Sequence, residues 1–285
     1  MGSSGEEGSG SLKGQRGRAM RVRDHVLDGE GVAQRSTPNR GGEISPRYLV
    51  FHYTAGRSAE SAVAWLCDPA ARASAHLVVA RDGGVVQLAP FNVMTWHAGQ
   101  SHWRGLSGLN AHSIGVEMDN AGRLIQVGAA YRAWFQAEYP AGQVIRARHK
   151  NGGEEAHWHA YTEVQIGRAL ELARLLVQAY RLEDVLGHED ISPGRKVDPG
   201  PAFPLENIRS AVLGRAAEGD EVFRVTAEAL NIRQGPGIEF PPAAAPLPRG
   251  ARLRLLEGRD RWSRVEVEGP ADLEGWVSNR FIEKA

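Results

Sequence analysis

The sequence predicts an α/β domain with a mixed central sheet flanked by helices, followed by a small all-β barrel. Between residues 45 and 213, strand-like apolar runs and helical segments follow one another in the order β, α, β, β, β, α. Between residues 222 and 285, only short β-type runs occur, and Gly, Pro and Asp separate them. The polar segment at 214–221 has neither period, so it is predicted to be a linker between the two domains.

The chain begins with a segment that is predicted to lie outside the first domain. Residues 1–19 are rich in Gly and Ser and contain no apolar stretch of the kind found in a secretory signal. We therefore expect residues 1–44 to be an N-terminal tail, formed by a linker or tag and then an extended segment. Met20 is a plausible native start.

Four apolar runs in the first domain predict strands of the sheet. They are Arg47–Tyr53, Ala75–Ala80, Val85–Leu88 and Ser113–Met118. The second and third are joined by RDGG, which is typical of a hairpin turn.

Two helices are predicted from their caps and periods. One covers Ser58–Cys67, with Ser58 as its N-cap. The other opens at a capping box made by Thr162 and Gln165. Apolar residues at steps of three and four predict the buried face of this longer helix: Ile166, Leu170, Ala173, Val177 and Tyr180.

Composition excludes several classes of protein. The 285 residues carry 34 Lys+Arg and 34 Asp+Glu, and this zero net charge argues against a nucleic-acid binder. The single cysteine, Cys67, excludes an intrachain disulfide framework and a zinc site rich in thiolates. No apolar run is long enough to predict a membrane span.

His52 is the first candidate for chemistry. It lies near the end of a predicted buried strand, where the chain turns through Thr-Ala-Gly toward a helix. Side chains at strand ends are held rigidly and can face a cleft. From this residue alone, a hydrogen-bonded core histidine and a metal ligand both remain open.

The segment GHEDISPGRKVDPGPAF at 187–203 is the second candidate. It brings His188, Lys196 and Asp198 into a loop rich in Pro and Gly. Imidazole and carboxylate groups are normal zinc ligands, and three protein ligands leave a position open for catalysis. A solvated turn is the alternative for this spacing.

Glu117 is the third candidate. A carboxylate inside an apolar strand is costly unless a site compensates it. Strand alternation places it on the same face as Ser113 and Gly115. Because these are small residues, we expect open space above that face.

In this order, VFHYTAG, AHLVVARDGGVVQL, WHAG, LNAHSIGVEM and GHEDISPGRKVDPGPAF resemble the type 2 N-acetylmuramoyl-L-alanine amidase family. This family includes phage endolysins, bacterial muropeptide amidases and peptidoglycan recognition proteins. The resemblance covers about residues 45–212 and implies that 45–213 is a zinc amidase domain of that fold.

The resemblance also implies a ligand set and catalytic roles. Zn²⁺ would be held by His52, His188 and Asp198, and Glu117 and Lys196 would be catalytic. Some phage members use a tyrosine just before the hairpin histidine. Ala75 stands there in this chain, so the resemblance places it in the branch that uses a glutamate.

The implied reaction is hydrolysis of the amide between the lactyl group of N-acetylmuramic acid and L-alanine. In that reaction Glu117 would move the proton and Lys196 would stabilise the developing negative charge. The loop that carries His97 would line the substrate groove. His97 is therefore a candidate substrate contact, and Asn110 is a further one.

The last part of the chain has a resemblance of its own. ALNIRQGPG, LPRGARLRLLEG, RWSRVEVEG and EGWVSNRFI over 222–285 are similar to a bacterial SH3-like domain. Such domains commonly bind peptidoglycan in cell-wall enzymes, although tryptophans that serve only the core are an equal interpretation.

Two rival functions remain open. One is a protein that binds peptidoglycan or muropeptides without cutting them, and the other is a zinc endopeptidase that cuts within the stem peptide. We expect the protein to act in the cell envelope or periplasm, or after release by phage lysis as an endolysin.

Overall fold

The computed structural model describes residues 19–213, 222–259, 261–268 and 273–284. The predicted linker at 214–221 lies outside the described residues, as does the predicted Gly/Ser-rich segment up to residue 18. The part before residue 214 combines helices with sheets, and the part after residue 221 is built mainly from strands.

A six-stranded mixed sheet forms the centre of the α/β part. Its strands are β1 Val32–Gln34, β2 Tyr48–Tyr53, β3 Leu77–Val79, β4 Val85–Gln87, β5 Ser113–Met118 and β6 Asp184–Gly187. Their order across the sheet is β6-β2-β5-β3-β4-β1. Strands β6, β2, β5 and β3 are parallel, β4 pairs antiparallel with β3, and β1 is parallel to β4. The predicted mixed sheet and the hairpin are confirmed, whereas β1 and β6 were not predicted.

Among the described residues, four α-helices accompany the sheet: α1 Ala59–Leu66, α2 Glu163–Tyr180, α3 His188–Ile191 and α4 Leu205–Leu213. Ser58 caps α1, as predicted. The predicted capping box of α2 is also present, because Thr162 Oγ1 accepts from Gln165 N (3.1 Å) and Gln165 Oε1 accepts from Thr162 N (3.2 Å). Short 3-10 turns occupy Pro69–Ala71, Leu109–Ala111, Ala141–Gln143 and Asn279–Phe281.

The buried face of α2 differs from the prediction. Its buried side chains are Gln165, Ala169, Leu172, Ala173 and Leu176. Of the predicted set only Ala173 is fully buried, and the other four are half-buried at the margin of the core. The helix has apolar residues on two adjacent stripes, so its periodicity alone could not decide which stripe faces the sheet.

Residues 19–44 belong to the α/β fold and do not form a separate tail. Within them Arg21–Arg23 pairs with Val26–Asp28, β1 extends the central sheet, and Arg40–Glu43 pairs with Val93–Thr95. Short strands with mixed polarity carry little periodic signal, which explains why the sequence did not reveal them.

A second sheet, all antiparallel and not predicted, lies between β5 and α2 in the chain. In spatial order its strands are Glu138–Tyr139, Ala130–Arg132, Arg123–Val127, Ala156–His159 and Val144–Ala147. A small pair, His102–Trp103 and Leu106–Ser107, stands apart from both sheets.

The C-terminal part is all-β, as predicted. Its five-stranded antiparallel sheet has the order Leu273–Ser278, Trp262–Val267, Arg252–Arg259, Val222–Val225, Ile282–Lys284, and Ala229–Leu230 pairs with Leu247–Pro248. A separate apolar core includes Val225, Ile232, Leu253 and Val265. No helix among the described residues has the length and apolar character needed to cross a membrane.

Candidate metal centre

The candidate centre lies where three parallel strands end. His52 is the next-to-last residue of β2, Glu117 pairs with it in register on β5, and His188 follows β6 directly. Because β2 lies between β5 and β6, the carboxyl ends of these strands place all three side chains at one edge of the sheet. This edge is the usual location of ligand sites in open α/β sheets.

Three side-chain atoms converge at this edge. His52 Nδ1 lies 2.9 Å from His188 Nδ1 and 3.1 Å from Asp198 Oδ2, and His188 Nδ1 lies 3.0 Å from the same oxygen. All three residues are buried, and they form a group that could hold a metal ion. Around a tetrahedral zinc ion, with bonds of about 2.0–2.1 Å, ligand atoms lie only about 3.3 Å apart, so the donor set fits this metal.

The electrostatics of these three residues suit a cation. Burial lowers the pKa of His52 to about 4, and the neighbouring His188 adds to this shift, so His52 is neutral near pH 7. Burial by itself raises the pKa of Asp198, but hydrogen bonds with His188 and His52 outweigh burial and hold that pKa below its usual value. His52 therefore offers a neutral imidazole and Asp198 an ionised carboxylate, which are the forms that bind zinc.

Glu117 lies beside the three converging residues. Burial and, to a smaller extent, the carboxylate of Asp198 raise its pKa to about 8 against the opposing effect of the Lys196 ammonium. Its Oε2 is buried and has no hydrogen-bond partner among the described residues. A carboxyl group with such a pKa and a free oxygen is suited to exchange protons near neutral pH.

The group opens into a cleft of about 730 Å³. Its lining includes Glu117 and Lys196 as well as the three converging residues. Trp65 and Trp134, which are 58% and 71% exposed, also line it. Trp134 Nε1 donates to Ala55 O (2.8 Å), and this bond fixes the ring at the edge of the cleft.

The two predicted substrate contacts, His97 and Asn110, both make hydrogen bonds to protein groups around the centre. His97 is buried, and its Nδ1 is 2.9 Å from His52 Nε2, although the residue also lines the cleft. Asn110 Oδ1 accepts from His97 N (3.0 Å) and Ala98 N (2.7 Å). The space expected above Gly115 is filled by the His97 ring.

A buried network that the sequence did not predict holds the loop of Asp198. Glu189 N donates to Asp198 O (2.9 Å), and Glu189 Oε2 accepts from Gly200 N (3.1 Å) and lies 2.6 Å from His149 Nε2. Lys150 pairs with Glu189 Oε1 at 3.1 Å. The only available signal was the position of Glu189 directly after His188, because His149 and Lys150 lie about 40 residues away in the chain.

Comparison with known proteins gives consistent matches. A family model described as N-acetylmuramoyl-L-alanine amidase matches residues 42–201. The N-acetylmuramoyl-L-alanine amidase AmiD of Escherichia coli K12 is 32% identical over an alignment of 208 residues, and the match covers 69% of this chain and 64% of AmiD. The 1,6-anhydro-N-acetylmuramyl-L-alanine amidase AmpD of the same strain is 32% identical over 143 residues, 50% of this chain and 59% of AmpD.

Among solved structures, E. coli AmiD in complex with the substrate anhydro-N-acetylmuramic acid-L-Ala-D-gamma-Glu-L-Lys aligns with a TM-score of 0.46 and 28% identity. The alignment covers 71% of this chain and 68% of that one. In the sequence comparisons, the chain spans about three fifths of the length of the curated relatives AmiD and AmpD.

Proposed function

Because the chain belongs to the N-acetylmuramoyl-L-alanine amidase family, we propose that it is a zinc-dependent hydrolase of peptidoglycan. The bond cut would be the amide between the lactyl group of N-acetylmuramic acid and L-alanine. The observation that carries this proposal is the meeting of His52 Nδ1, His188 Nδ1 and Asp198 Oδ2 within 3.1 Å of one another in a cleft that also holds Glu117.

His52, His188 and Asp198 would hold the zinc ion. When bound, zinc lowers the pKa of water toward about 7 and acts as a Lewis acid toward a carbonyl. The single cysteine, Cys67, lies in the turn that ends α1 and is not part of the converging group, so the ligand set contains no thiolate.

Glu117 acts as the proton carrier. It takes a proton from the attacking water as the new C–O bond forms at the lactyl carbonyl. It then gives that proton to the alanine nitrogen as the C–N bond breaks, so the immediate products are a carboxylic acid and an amine, and transfer of the acid's proton to the amine leaves a carboxylate and an ammonium group. The raised pKa of Glu117, about 8, favours the second step, and the positive charge of a bound dication favours ionised Glu117 for the first.

Lys196 supplies positive charge to the same cleft. It lies two residues before Asp198 and lines the cleft beside Glu117. Its ammonium would stabilise the negative charge that develops on the carbonyl oxygen during attack.

The exposed tryptophans support a glycan substrate. Trp65 and Trp134 present large aromatic faces along the cleft, and such faces provide contact area for the apolar sides of sugar rings. We further propose that the C-terminal all-β part is an SH3-like module that binds the wall. Such a module would favour polymeric peptidoglycan as substrate, in the cell envelope or after release by phage lysis.

Digestion of purified peptidoglycan tests the proposal. The zinc-loaded protein is incubated with the polymer, with and without a chelator, and the soluble fragments are identified by mass spectrometry. We expect intact stem peptides with a free L-alanine amine, and we expect the chelator to stop their release.

The rival functions give different products. Shortened stems with the lactyl amide intact would identify an endopeptidase and would refute the proposed bond. Binding to the polymer without any fragments, at full zinc occupancy, would identify a binding protein. Release that continues after complete removal of zinc would contradict the mechanism.

A further inference from the structure

A chain of hydrogen bonds runs from the backbone to the candidate ligand His52. Ser113 Oγ lies 2.6 Å from Leu109 O, and His97 Nε2 lies 3.2 Å from Ser113 Oγ. His97 Nδ1 lies 2.9 Å from His52 Nε2. Ser113 is fully buried and the two histidines are nearly so, so water does not compete for these bonds.

The direction of each bond follows from its backbone end. A carbonyl oxygen can only accept, so the one hydroxyl proton of Ser113 is donated to Leu109 O. Ser113 Oγ must then accept from His97 Nε2–H, which leaves the lone pair of neutral His97 on Nδ1. With zinc bound in place of an Nδ1 proton, that lone pair accepts from His52 Nε2–H and the lone pair of His52 stands on Nδ1, the atom that faces His188 and Asp198.

Ala98, the residue after His97, orients the second ligand histidine, His188, in the same way. His188 Nε2 lies 3.1 Å from Ala98 O, which again can only accept. Arg195 Nη2, which can only donate, lies farther from His188 Nε2 at 3.4 Å and has closer acceptors in Ala98 O and Gln100 O. The shorter contact with Ala98 O therefore assigns the proton of His188 to Nε2, which leaves Nδ1 to bind zinc. Asn110 Oδ1 receives the N–H groups of both His97 and Ala98 and so holds this two-residue segment in place.

We propose that the segment His97–Ala98, locked by Ser113 and Asn110, is a positioning device that fixes the Nε2–H tautomer of both ligand histidines. This inference rests on the proposed zinc site. It gives His97 and Asn110 a positioning role, in place of the substrate contact expected from the sequence. Partners of this kind orient metal ligands, and their loss typically lowers metal affinity about 10- to 100-fold.

Gly115 provides independent geometric support. A Cβ atom at this position would lie 2.7 Å from His97 Nδ1 and 2.8 Å from His97 Cδ2, closer than van der Waals contact allows. The imidazole of His97 is thus seated directly on the strand that carries Ser113 and Glu117, and only glycine leaves room for it.

The test compares Ser113→Ala with Thr95→Val. Thr95 is also fully buried, and its Oγ1 lies 2.9 Å from His76 Nδ1, so the control removes a similar buried hydroxyl–histidine bond that does not lead to the ligands. Zn²⁺ affinity is measured by competition with a chromophoric chelator. We expect a loss of about 10- to 100-fold for Ser113→Ala and less than about threefold for Thr95→Val. Equal affinities for the two variants would overturn the proposal.

Nitrogen-15 NMR of the histidine rings in the unmodified zinc-loaded protein provides a second measurement that does not depend on how the variants fold. We expect His97 to carry its proton on Nε2, and a proton on Nδ1 would overturn the proposal. Neither measurement uses turnover. A protein with the expected tautomer and affinities that releases no stem peptides would therefore refute the proposed reaction and leave the positioning role intact.

Discussion

Replacing Glu117 with glutamine is expected to stabilise the zinc-free protein relative to wild type as the pH rises. Burial raises the pKa of Glu117 from 4.5 to about 8, with Asp198 adding to the shift and Lys196 opposing it. In the unfolded chain the same carboxyl group ionises near its ordinary pKa. Between about pH 4.5 and 8, folding therefore requires Glu117 to take up a proton that the unfolded chain has already released.

The sign and size of the effect follow from linkage. Over this range the folded state binds more protons than the unfolded state, so the free energy of unfolding contributed by Glu117 falls as the pH increases. One pKa unit corresponds to about 1.4 kcal/mol, which sets a ceiling of about 5 kcal/mol for the full shift. Structural relaxation around a buried charge reduces such values, and we expect about 2 kcal/mol.

The assay is urea unfolding with excess chelator at pH 4, 6 and 8.5, for wild type and for Glu117→Gln. The difference in unfolding free energy between them is expected to be constant below about pH 4.5. It should then shift in favour of the variant by about 2 kcal/mol at pH 8.5.

Glu154→Gln is the matched control, because Glu154 is exposed in a loop. Its difference from wild type is expected to vary little with pH. A difference for Glu117→Gln that is equally flat, or that shifts in favour of wild type at high pH, would refute the reasoning that burial holds a proton on Glu117.

Three further outcomes are expected. Asp198→Asn, which removes the anionic ligand, should weaken Zn²⁺ binding by more than about 100-fold, and an unchanged chelator competition curve would contradict the ligand assignment. Asp184 is fully buried and pairs with Arg209 at 2.7 Å, so Asp184→Asn should lower the free energy of unfolding in urea by about 3–5 kcal/mol, and a loss below about 1 kcal/mol would count against it. Trp134→Ala should raise KM for polymeric peptidoglycan with little change in kcat, because its ring lines the cleft and takes no part in the proposed proton transfer; a fall in kcat alone would argue against a binding role.

Local sequence signals predicted the elements whose hydrophobic pattern matches their burial or whose capping residues lie close together in the chain. Strand β2 and strand β5 are buried apolar runs, and the capping box at Thr162 lies within three residues of its partner. The second sheet was missed because its strands are short and half-exposed, as in the pattern of Arg123–Val127. The buried face of α2 was predicted wrongly because the helix carries two adjacent apolar stripes.

The residues of the candidate site were also predicted only in part. The residues Glu117, Lys196, His52, His188 and Asp198 were named from local motifs and from a family resemblance, and the structure brings them into one cleft. The partners that orient them were not predicted. Ser113 meets His97 across 16 residues and His149 meets Glu189 across 40, and neither spacing has a local signature.

The sequence by itself determined which chemical groups are available and where the principal strands and helices begin, since both depend on residue type and short-range periodicity. Only the tertiary structure decided that the ends of β2, β5 and β6 meet, and that the Nδ1 atoms of His52 and His188 turn toward Asp198. The physical reason is that hydrogen-bond direction and strand order depend on contacts between residues far apart in the chain, and these form only when the core packs.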